Sequence, residues 1–377
     1  MKIVYNSFHG RYSDNPRALF EELRQLPDLE HVWLADPRHT AGFPATVRTV
    51  DIESPAAVEA LESADLVIAN THTEVEWRKG PGTRYLQTWH GTPMKRIHHD
   101  VLWAPPGRLS RLDRDVAKWD VLLSPNAIST PLLRQAFRFI GEVWETGYPR
   151  NDLLSDYDRK RRRRQTRRML GLASGATAVL YAPTWRDDEC FGDDRAEVPM
   201  GLDVGALVHS LGPDTALLVR THNLMTGRLA VPDVAGVHDV SYYPDIRDLY
   251  LAADVLVTDY SSVMFDFAVT GKPMVFYAYD LDHFRDSVRG FYFDLEPRAP
   301  GPLVQAPEEL ADALRALPEM RDAFRDRYEA FQQTFTHLED GVATRRVLHR
   351  LGFSMHDPAV ATPEEDSRAT QPVDVTG

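Results

Sequence analysis

The sequence predicts an α/β protein made of two doubly wound, parallel-sheet domains that face each other across a cleft. Short runs rich in β-branched residues alternate with amphipathic segments, a pattern typical of parallel strands joined by helices. This alternation occurs twice, and residues 148–158, where Pro, Asn and Asp interrupt it, separate the two series. A chain of 377 residues is long for one domain and short for three, which also favours two.

The predicted strands form two series, one for each predicted domain. Candidate strands of the first series occupy residues 2–5, 31–35, 65–70, 85–89, 120–124 and 143–147, and those of the second occupy 178–182, 216–220, 254–259 and 273–278. After the first strand, residues 15–26 predict a helix that Asn15 caps and in which Pro16 takes the first helical position. We therefore assign 1–150 to an N-terminal domain and 151–353 to a C-terminal domain. The acidic, proline-rich tail at 354–377 is expected to be disordered.

Composition excludes several classes of protein. The formal net charge is −13 and neither predicted domain is basic, so we expect no nucleic-acid partner. Cys190 is the only cysteine, which excludes an intramolecular disulfide and a cysteine-based zinc site and fits a reducing compartment. The sequence has no apolar leader and no run of about 18 uncharged apolar residues. We therefore expect a cytoplasmic protein without a membrane span.

Residues 159–168, RKRRRRQTRR, contain eight basic residues in ten positions. Such a run is most often a solvated helix face. The alternative is an electrostatic tether to anionic lipid, in which each base near the surface contributes about 1 kcal/mol. That alternative would place the protein peripherally on the inner face of the cell membrane.

Nearly every candidate strand ends in a polar cluster, and folds of this type bind ligands at the carboxyl ends of their strands. Strand 85–89 runs into His90, Gly91, Thr92 and Pro93. Gly91 lets the chain turn and approach a ligand closely, while Pro93 fixes φ and prevents an immediate helix. A histidine displayed there can accept a proton from a hydroxyl near neutral pH. The alternative is a core histidine whose partners are backbone groups.

A second cluster follows strand 254–259, where Asp259 and Tyr260 precede Ser261 and Ser262 at the start of a predicted helix. Unpaired N–H groups, the positive end of the helix dipole and two hydroxyls together suit a phosphate. The alternative is ordinary N-capping by Ser261. The P-loop and GxGxxG fingerprints are absent from this segment.

The remaining clusters are weaker indicators. Arg220 ends strand 216–220 and His222 follows it; the two would neutralise charge on a phosphate, although Arg220 could equally pair with a surface carboxylate. Trp185, within PTWRDD at 183–188, could stack on a base, but a tryptophan more commonly fills a core. GYPRND at 147–152 marks the domain crossing and is interpreted as a hinge.

The sequence also argues against metal and serine-hydrolase chemistry. His90, His98 and His99 show neither HExxH spacing nor an accompanying carboxylate triad, so we predict no metal site. The chain has no GxSxG nucleophile elbow.

Several motifs, in this order, resemble those of the CDP-glycerol glycerophosphotransferase family, whose members build and prime teichoic acids and related glycerol- or ribitol-phosphate polymers. The motifs are YSDNPRALFEEL (12–23), WHGTPMK (89–95), GYPRND (147–152), YAPTWRDD (181–188), RTH (220–222), TDYSSVMFDF (258–267) and GKP (271–273). Together they cover about residues 5–300. The resemblance implies a GT-B-like fold, in which two Rossmann-like domains face a cleft.

The resemblance also implies roles for individual residues. His90 matches the histidine of the family's HGTP motif, the base that deprotonates the acceptor's terminal hydroxyl. His222 matches a second histidine, which contacts the donor diphosphate, although Asn223 replaces the proline that usually follows it. Ser261 and Ser262 match the paired serines that hold the pyrophosphate. The other residues assigned to substrate binding are Gly91, Thr92, Lys95, Thr184, Trp185, Arg186, Arg220 and Asp259.

The implied reaction transfers glycerol phosphate or ribitol phosphate from a CDP-alcohol to the terminal hydroxyl of a teichoic-acid-like or capsular acceptor, and it releases CMP. CDP-glycerol or CDP-ribitol is the donor substrate, the acceptor is a polyol phosphate or is lipid-linked, and no cofactor is expected. Because a fold does not fix function, two alternatives stay open. One is a GT-B glycosyltransferase that uses a nucleotide sugar, and the other is a non-catalytic relative that binds anionic polymer.

Overall fold

The computed structural model describes residues 1–184, 186, 201–221 and 231–354. Two parallel sheets with helices around them confirm the predicted α/β architecture. The first sheet has the strand order β3-β2-β1-β4-β5-β6-β7, and the second has the order β10-β9-β8-β11-β12-β13. Of the predicted tail at 354–377, only residue 354 lies within the described residues.

The first sheet and its connections use the amino-terminal part of the chain. Its strands are β1 (Lys2–Asn6), β2 (Glu30–Ala35), β3 (Thr49–Asp51), β4 (Leu66–Ala69), β5 (Arg84–Gln87), β6 (Val121–Ser124) and β7 (Glu142–Glu145). The helices between them are α1 (Asp14–Leu23), α2 (Pro55–Glu62), α3 (Arg108–Val116) and α4 (Ser129–Phe137). Short 3₁₀ turns occur at Pro37–Gly42, His98–Asp100 and Pro149–Asn151.

The second sheet follows the crossing. Its strands are β8 (Thr177–Tyr181), β9 (Thr215–Val219), β10 (Val237–Asp239), β11 (Val255–Thr258), β12 (Met274–Tyr277) and β13 (Leu303–Val304). The described helices of this part are α5 (Asp152–Ser155), α6 (Arg159–Met169), α7 (Val204–Leu211), α8 (Ile246–Ala252), α9 (Val263–Ala268), α10 (Leu281–His283), α11 (Pro307–Arg315), α12 (Leu317–Ala323), α13 (Arg325–Phe335) and α14 (Ala343–Arg350). A π-helical turn at Phe284–Val288 follows α10.

The central strands are apolar because helices cover both faces of each sheet. In β4 and β11 every residue is buried, as expected for strands of a parallel sheet. The strand order reverses beside β1 and β4 in the first sheet and beside β8 and β11 in the second. A doubly wound fold binds ligands at such reversals, at the carboxyl ends of the strands.

Helix α1 forms where the sequence predicts a helix, but the predicted cap is wrong. The N-cap position belongs to Ser13, so Asn15 lies inside the first turn. The side chain of Asn15 is drawn instead into tertiary contacts: its Nδ2 donates to the carbonyl of Trp89 (3.0 Å) and its Oδ1 accepts from the backbone N–H of Arg150 (3.0 Å). These two hydrogen bonds use both polar atoms of the Asn15 side chain, so neither is left to cap the helix.

The chain crosses between the two sheets at 147–152, the segment predicted to be a hinge, and this crossing is densely bonded. Arg150 is buried and pairs with Asp14 at the start of α1 (3.2 Å) and with Asp266 in α9 (2.9 Å). Burial lowers the pKa of Arg150, but the two carboxylates raise it well above its ordinary value. The crossing therefore joins one helix from each half through a single buried guanidinium.

The second crossing returns the chain to the first sheet. Both oxygens of Asp152 accept backbone N–H groups at the start of α14, from Ala343 (2.9 Å) and Thr344 (2.7 Å). Val347 and Leu348 of α14 then pack into the core beneath the first sheet. The division at residues 150 and 151 stays a prediction, and α14, although late in the sequence, packs with the N-terminal half.

The basic run forms α6, and two of its arginines face inward. Arg163 donates to the carbonyls of residues 251–253 at the end of α8 and pairs with Asp254 (2.6 Å). Arg167 also pairs with Asp254 (3.1 Å). Lys160, Arg164 and Arg168 are exposed. Among the described helices, none combines the length and the apolar character needed to cross a bilayer.

Candidate active site

A cleft of about 1080 Å³ lies between the two sheets. Its walls come from loops at the carboxyl ends of strands, as the fold predicts. Six of the predicted site residues line it: His90, Gly91, Thr92, Lys95, Arg220 and Ser262. The structure thus brings the predicted histidine turn and the predicted serine cluster to one cavity.

The turn that carries His90 is held in place by polar side chains of β5 and of helix α1. Trp89 has a left-handed backbone with φ of +53°, which is uncommon outside glycine and turns the chain sharply after β5. Gln87 accepts the N–H of Trp89 (2.9 Å) through Oε1, while Asn15 donates to the Trp89 carbonyl. Both backbone groups of Trp89 are therefore fixed immediately before His90.

The imidazole of His90 is set up as a neutral proton acceptor. Its Nδ1 lies 2.5 Å from the carbonyl oxygen of Asn70, and a carbonyl can only accept, so Nδ1 carries the proton. The other nitrogen, Nε2, then keeps its lone pair. Burial lowers the pKa of His90 to about 4, so the ring is uncharged at neutral pH. The rings of Trp89 (4.2 Å) and Phe8 (5.2 Å) pack against it and fix its orientation.

Gly91 is the point of closest approach between the two predicted clusters. A β-carbon at this position would lie 2.9 Å from the Oγ of Ser262 and 3.2 Å from its Cβ. A larger residue would have to displace the Ser262 side chain or the turn, so the close approach favours glycine here. The turn after β5 and the start of α9 are thus in van der Waals contact across the cleft.

Beyond the turn, a short strand-like pairing ties the two halves together. Arg96 N donates to the carbonyl of Gly290 (3.0 Å), and Tyr292 N donates to the carbonyl of Met94 (2.8 Å). Between them, Lys95 extends to Thr184 after β8, with Nζ 3.2 Å from its Oγ1. The ammonium group of Lys95 therefore reaches the cleft beside the second sheet.

Arg186 and Asp259, which the resemblance assigns to substrate binding, are buried in an ion-pair network behind this wall. The guanidinium of Arg186 pairs with Asp259 (2.9 Å) and with Asp280 (2.7 Å), and it also donates to the carbonyl of Thr184. Burial lowers the pKa of Arg186, but Asp259 and Asp280 raise it above its ordinary value. The backbone N–H of Thr184 donates to Asp259 (2.8 Å), so the network fixes the loop after β8.

The two serines before α9 have different environments. Ser262 occupies the N-cap position, its hydroxyl makes no capping bond, and it lines the cleft. The Oγ of Ser261 lies 3.5 Å from the N–H of Val263, the direction of an ordinary cap. Ser262 is therefore the better placed of the pair to meet a ligand in the cleft.

Arg220 lines the same wall and donates to the carbonyls of Val240 (3.0 Å) and Tyr243 (2.7 Å). Burial lowers the pKa of the Arg220 guanidinium. The two carbonyls hold this guanidinium along the rim of the cleft. His222 and Trp185, the other predicted residues of this wall, lie outside the described residues.

Three positioning residues were missed at the sequence level. Asn70 comes directly after β4, just as His90 comes shortly after β5. A polar residue at the carboxyl end of a predicted strand could therefore have indicated Asn70 as a site residue. Asn15 was interpreted as a cap, and Asp280 had no pattern linking it to Arg186.

Comparisons with known proteins agree with this arrangement. The profile of the family described as CDP-Glycerol:Poly(glycerophosphate) glycerophosphotransferase matches residues 1–352. A teichoic acid glycerol-phosphate transferase of Staphylococcus aureus (strain NCTC 8325 / PS 47) is 39% identical over 364 residues, which are 93% of this chain and 92% of that protein. A teichoic acid poly(glycerol phosphate) polymerase of Bacillus subtilis (strain 168) is 34% identical over 92% of this chain, which spans 48% of the polymerase.

Solved structures give the same result. The wall teichoic acid polymerase TagF matches with a TM-score of 0.84 at 33% identity, covering 93% of this chain and 88% of that one. A histidine-to-asparagine variant of TagF soaked with CDPG matches with a TM-score of 0.85 at 32% identity. The UDP-GlcNAc 2-epimerase of Neisseria meningitidis shares the fold, with a TM-score of 0.56, at 14% identity. The GT-B-like fold is therefore confirmed.

Proposed function

The chain belongs to the CDP-glycerol:poly(glycerophosphate) glycerophosphotransferase family, and from this premise we propose that it transfers glycerol phosphate from CDP-glycerol to a polyol-phosphate acceptor. The observation that carries the proposal is the neutral His90, held on a turn that touches Ser262 across the cleft. A proton acceptor and a phosphate-binding wall thereby meet at one point.

In the proposed reaction, a hydroxyl oxygen of the acceptor attacks the phosphorus that bears the glycerol. A new O–P bond forms, the P–O bond to the cytidylyl group breaks, and CMP leaves with the bridging oxygen. The Nε2 of His90 takes the proton of the attacking hydroxyl. Transfer of this kind depends on alignment and charge neutralisation more than on covalent chemistry, and the fixed His90 ring supplies the alignment.

The second wall supplies the donor-binding groups in this proposal. Ser262 offers a hydroxyl at the start of α9, while Lys95 and Arg220 place two cations along the cleft. His222 is proposed to contact the diphosphate on the strength of its motif. Thr184, Arg186 and Asp259, buried beside this wall, are proposed to shape the nucleotide pocket rather than to carry charge into it, since Arg186 is already paired twice. No cofactor enters this scheme.

The direct test is release of CMP from CDP-glycerol, measured with and without a lipid-linked glycerol-phosphate acceptor. CDP-ribitol is run in parallel, since some family relatives are ribitol-phosphate polymerases. We expect acceptor-dependent CMP from CDP-glycerol, and the product length then distinguishes a primase from a polymerase. Folded protein that releases no CMP from either donor would refute the proposal.

Two alternatives give different results in the same assay. A glycosyltransferase would turn over a UDP- or GDP-sugar without releasing CMP, and the fold alone allows it. A non-catalytic relative would bind CDP-glycerol or anionic polymer without turnover. The uncharged imidazole of His90 favours an enzyme over a binding protein, because it lines the cleft and can accept the proton of an attacking hydroxyl.

We also propose a peripheral membrane contact through the exposed bases of α6. Lys160, Arg164 and Arg168 are three outward bases of the run, whereas Arg163 and Arg167 face inward. Arg159 and Arg161 are also exposed, but they bond to the Ser155 carbonyl and to Asp158. Flotation with liposomes of increasing anionic lipid content tests this contact. Changing the three outward bases to Gln should reduce flotation, while the same change at Arg321, Arg325 and Arg327 serves as the matched control. Flotation that ignores both anionic lipid and the α6 changes would end the proposal.

A further inference from the structure

A cluster of histidine and carboxylate side chains lies next to the cleft and is not used by the proposed reaction. His98 and His99 occupy the 3₁₀ turn after the Lys95 pairing, and Asp113 lies on α3. One ligand atom from each of the three residues lies within 4.8 Å of the other two. The sequence predicted no metal because these histidines lacked a carboxylate, and the fold supplies one from fourteen residues further along.

We propose that His98, His99 and Asp113 bind a divalent transition-metal ion of the zinc type. Two imidazoles and one carboxylate form a common three-residue ligand set for Zn²⁺, with a fourth position for water. The Nε2 of His99 lies 2.8 Å from Asp113 Oδ1, and the Nε2 of His98 lies 3.9 Å from the same oxygen. Ligand atoms roughly 2.0–2.2 Å from a tetrahedral metal lie roughly 3.5 Å from one another, so binding would open the first of these distances and shorten the second.

The chemistry of His98 is the second observation in favour of a ligand. Its side chain is only 2% exposed, yet within the described part of the chain neither ring nitrogen makes a well-formed hydrogen bond. Unpaired polar atoms at this depth are costly. The ring also approaches the carbonyl of Ala136, which is the kind of neighbour that orients a ligating histidine. A metal bound through Nε2 would satisfy the nitrogen that faces Asp113.

The surroundings suit a bound cation. The rings of His72 (5.2 Å) and Phe137 (5.1 Å) pack on His98 and fix its orientation, so the site has a rigid inner side. Two nearby arginines of α3 do not leave unbalanced positive charge, because Arg111 pairs with Glu74 (2.9 Å) and Arg114 pairs with Glu76 (2.8 Å). Asp113, 42% exposed, forms the open side through which an ion would enter.

The proposed ion would join the segment after the His90 turn to α3. It acts as a structural staple beside the catalytic wall, and no step of the proposed transfer passes through it. The inference therefore does not depend on the proposed function, and binding is measured without any turnover.

The test uses the full chain without an affinity tag, stripped with EDTA and titrated with Zn²⁺ against a chromophoric chelator. Asp113→Asn and His99→Gln remove one ligand each, and His209→Gln, an exposed histidine of α7, is the matched control. We expect the wild type and the control to bind one tight Zn²⁺ per chain, and both ligand variants to bind at least about 10-fold more weakly. Thermal melting of the metal-free proteins checks that the variants are folded.

Equal Zn²⁺ affinity in the wild type and both ligand variants would overturn the proposal, as would the lack of tight binding by the wild type. Should the variants fail to fold, Co²⁺ binding to the wild type decides the matter. Intense visible absorption bands indicate the expected four-coordinate ion, whereas only weak bands, typical of six-coordinate surface binding, would refute the site. CMP release is assayed separately, so failure here leaves the transferase proposal standing.

Discussion

The two walls of the cleft hold their functional groups by different means. On the first-sheet wall, His90 is uncharged, held by one backbone carbonyl and by aromatic rings. On the second-sheet wall, Arg186 is held in pairs with Asp259 and Asp280. Under the proposed function, the group that exchanges a proton is kept out of charge networks, whereas the groups that shape the pocket are locked within them.

The largest expected effect concerns the charge network of the second wall. Arg186→Met leaves the buried Asp259 and the half-buried Asp280 without their cation, and breaking a buried pair typically costs about 3–5 kcal/mol. The free energy of unfolding in urea should fall by about this amount. Arg285→Met is the control, since the partners of Arg285 are exposed, and its effect should be much smaller. Equal effects from the two variants would show that the Arg186 network does not support this wall.

The next effect concerns the first wall. His90→Ala removes the proton acceptor, so turnover should fall by at least about 100-fold while the affinity for CDP-glycerol changes little. Steady-state kinetics and calorimetry measure the two quantities, and His209→Ala is the control. A His90→Ala enzyme with near-normal turnover would exclude His90 from the mechanism.

A smaller effect separates the two serines. Ser262→Ala should weaken CDP-glycerol binding by about 10-fold, which corresponds to one hydrogen bond to a charged group. Ser261→Ala should have less effect because its hydroxyl points toward the backbone of α9. Calorimetry on both single variants and the double variant tests this order. If the double variant binds CDP-glycerol as the wild type does, the serines act only as caps.

The smallest expected effect is that of pH on kcat/KM, which should change little between pH 7.5 and 5.5. A histidine base with its ordinary pKa of about 6.5 would lose roughly 90% of its neutral form by pH 5.5. Because burial lowers the pKa of His90 to about 4, it stays neutral there, and protonation reduces its activity only as the pH falls toward 4. The kcat/KM for CDP-glycerol should therefore stay nearly level between pH 7.5 and 5.5. A decline with an apparent pKa near 6.5 in the metal-free enzyme would contradict the proposed environment of His90.

Most of the fold could be read from the sequence, and the parts that were missed have a common physical reason. The predicted strands correspond to the central strands of both sheets, whose apolar runs reflect burial on both faces, and to one edge strand, β7. The three strands without a sequence signal, β3, β10 and β13, are edge strands of two or three residues. An edge strand has fewer buried positions, so its composition carries little pattern.

The candidate site likewise has a part that the sequence predicted and a part that it did not. His90, Gly91, Ser262 and Arg220 could be found because each follows a predicted strand. The pairings that position them could not, because they join residues with no fixed spacing. Asn15 reaches Trp89, Arg186 reaches Asp280, and His99 reaches Asp113 only once the chain is folded.

Helix α14 gives the molecule an order of assembly that runs against its order of synthesis. Val347 and Leu348 fill the core beneath the first sheet, beside residues such as Ile3 and Trp33 that leave the ribosome hundreds of residues earlier. The second sheet, which ends at β13, has all its strands available sooner. The half of the protein that is translated first therefore keeps part of its apolar surface exposed until α14, the last described helix, has been synthesised and packs against it.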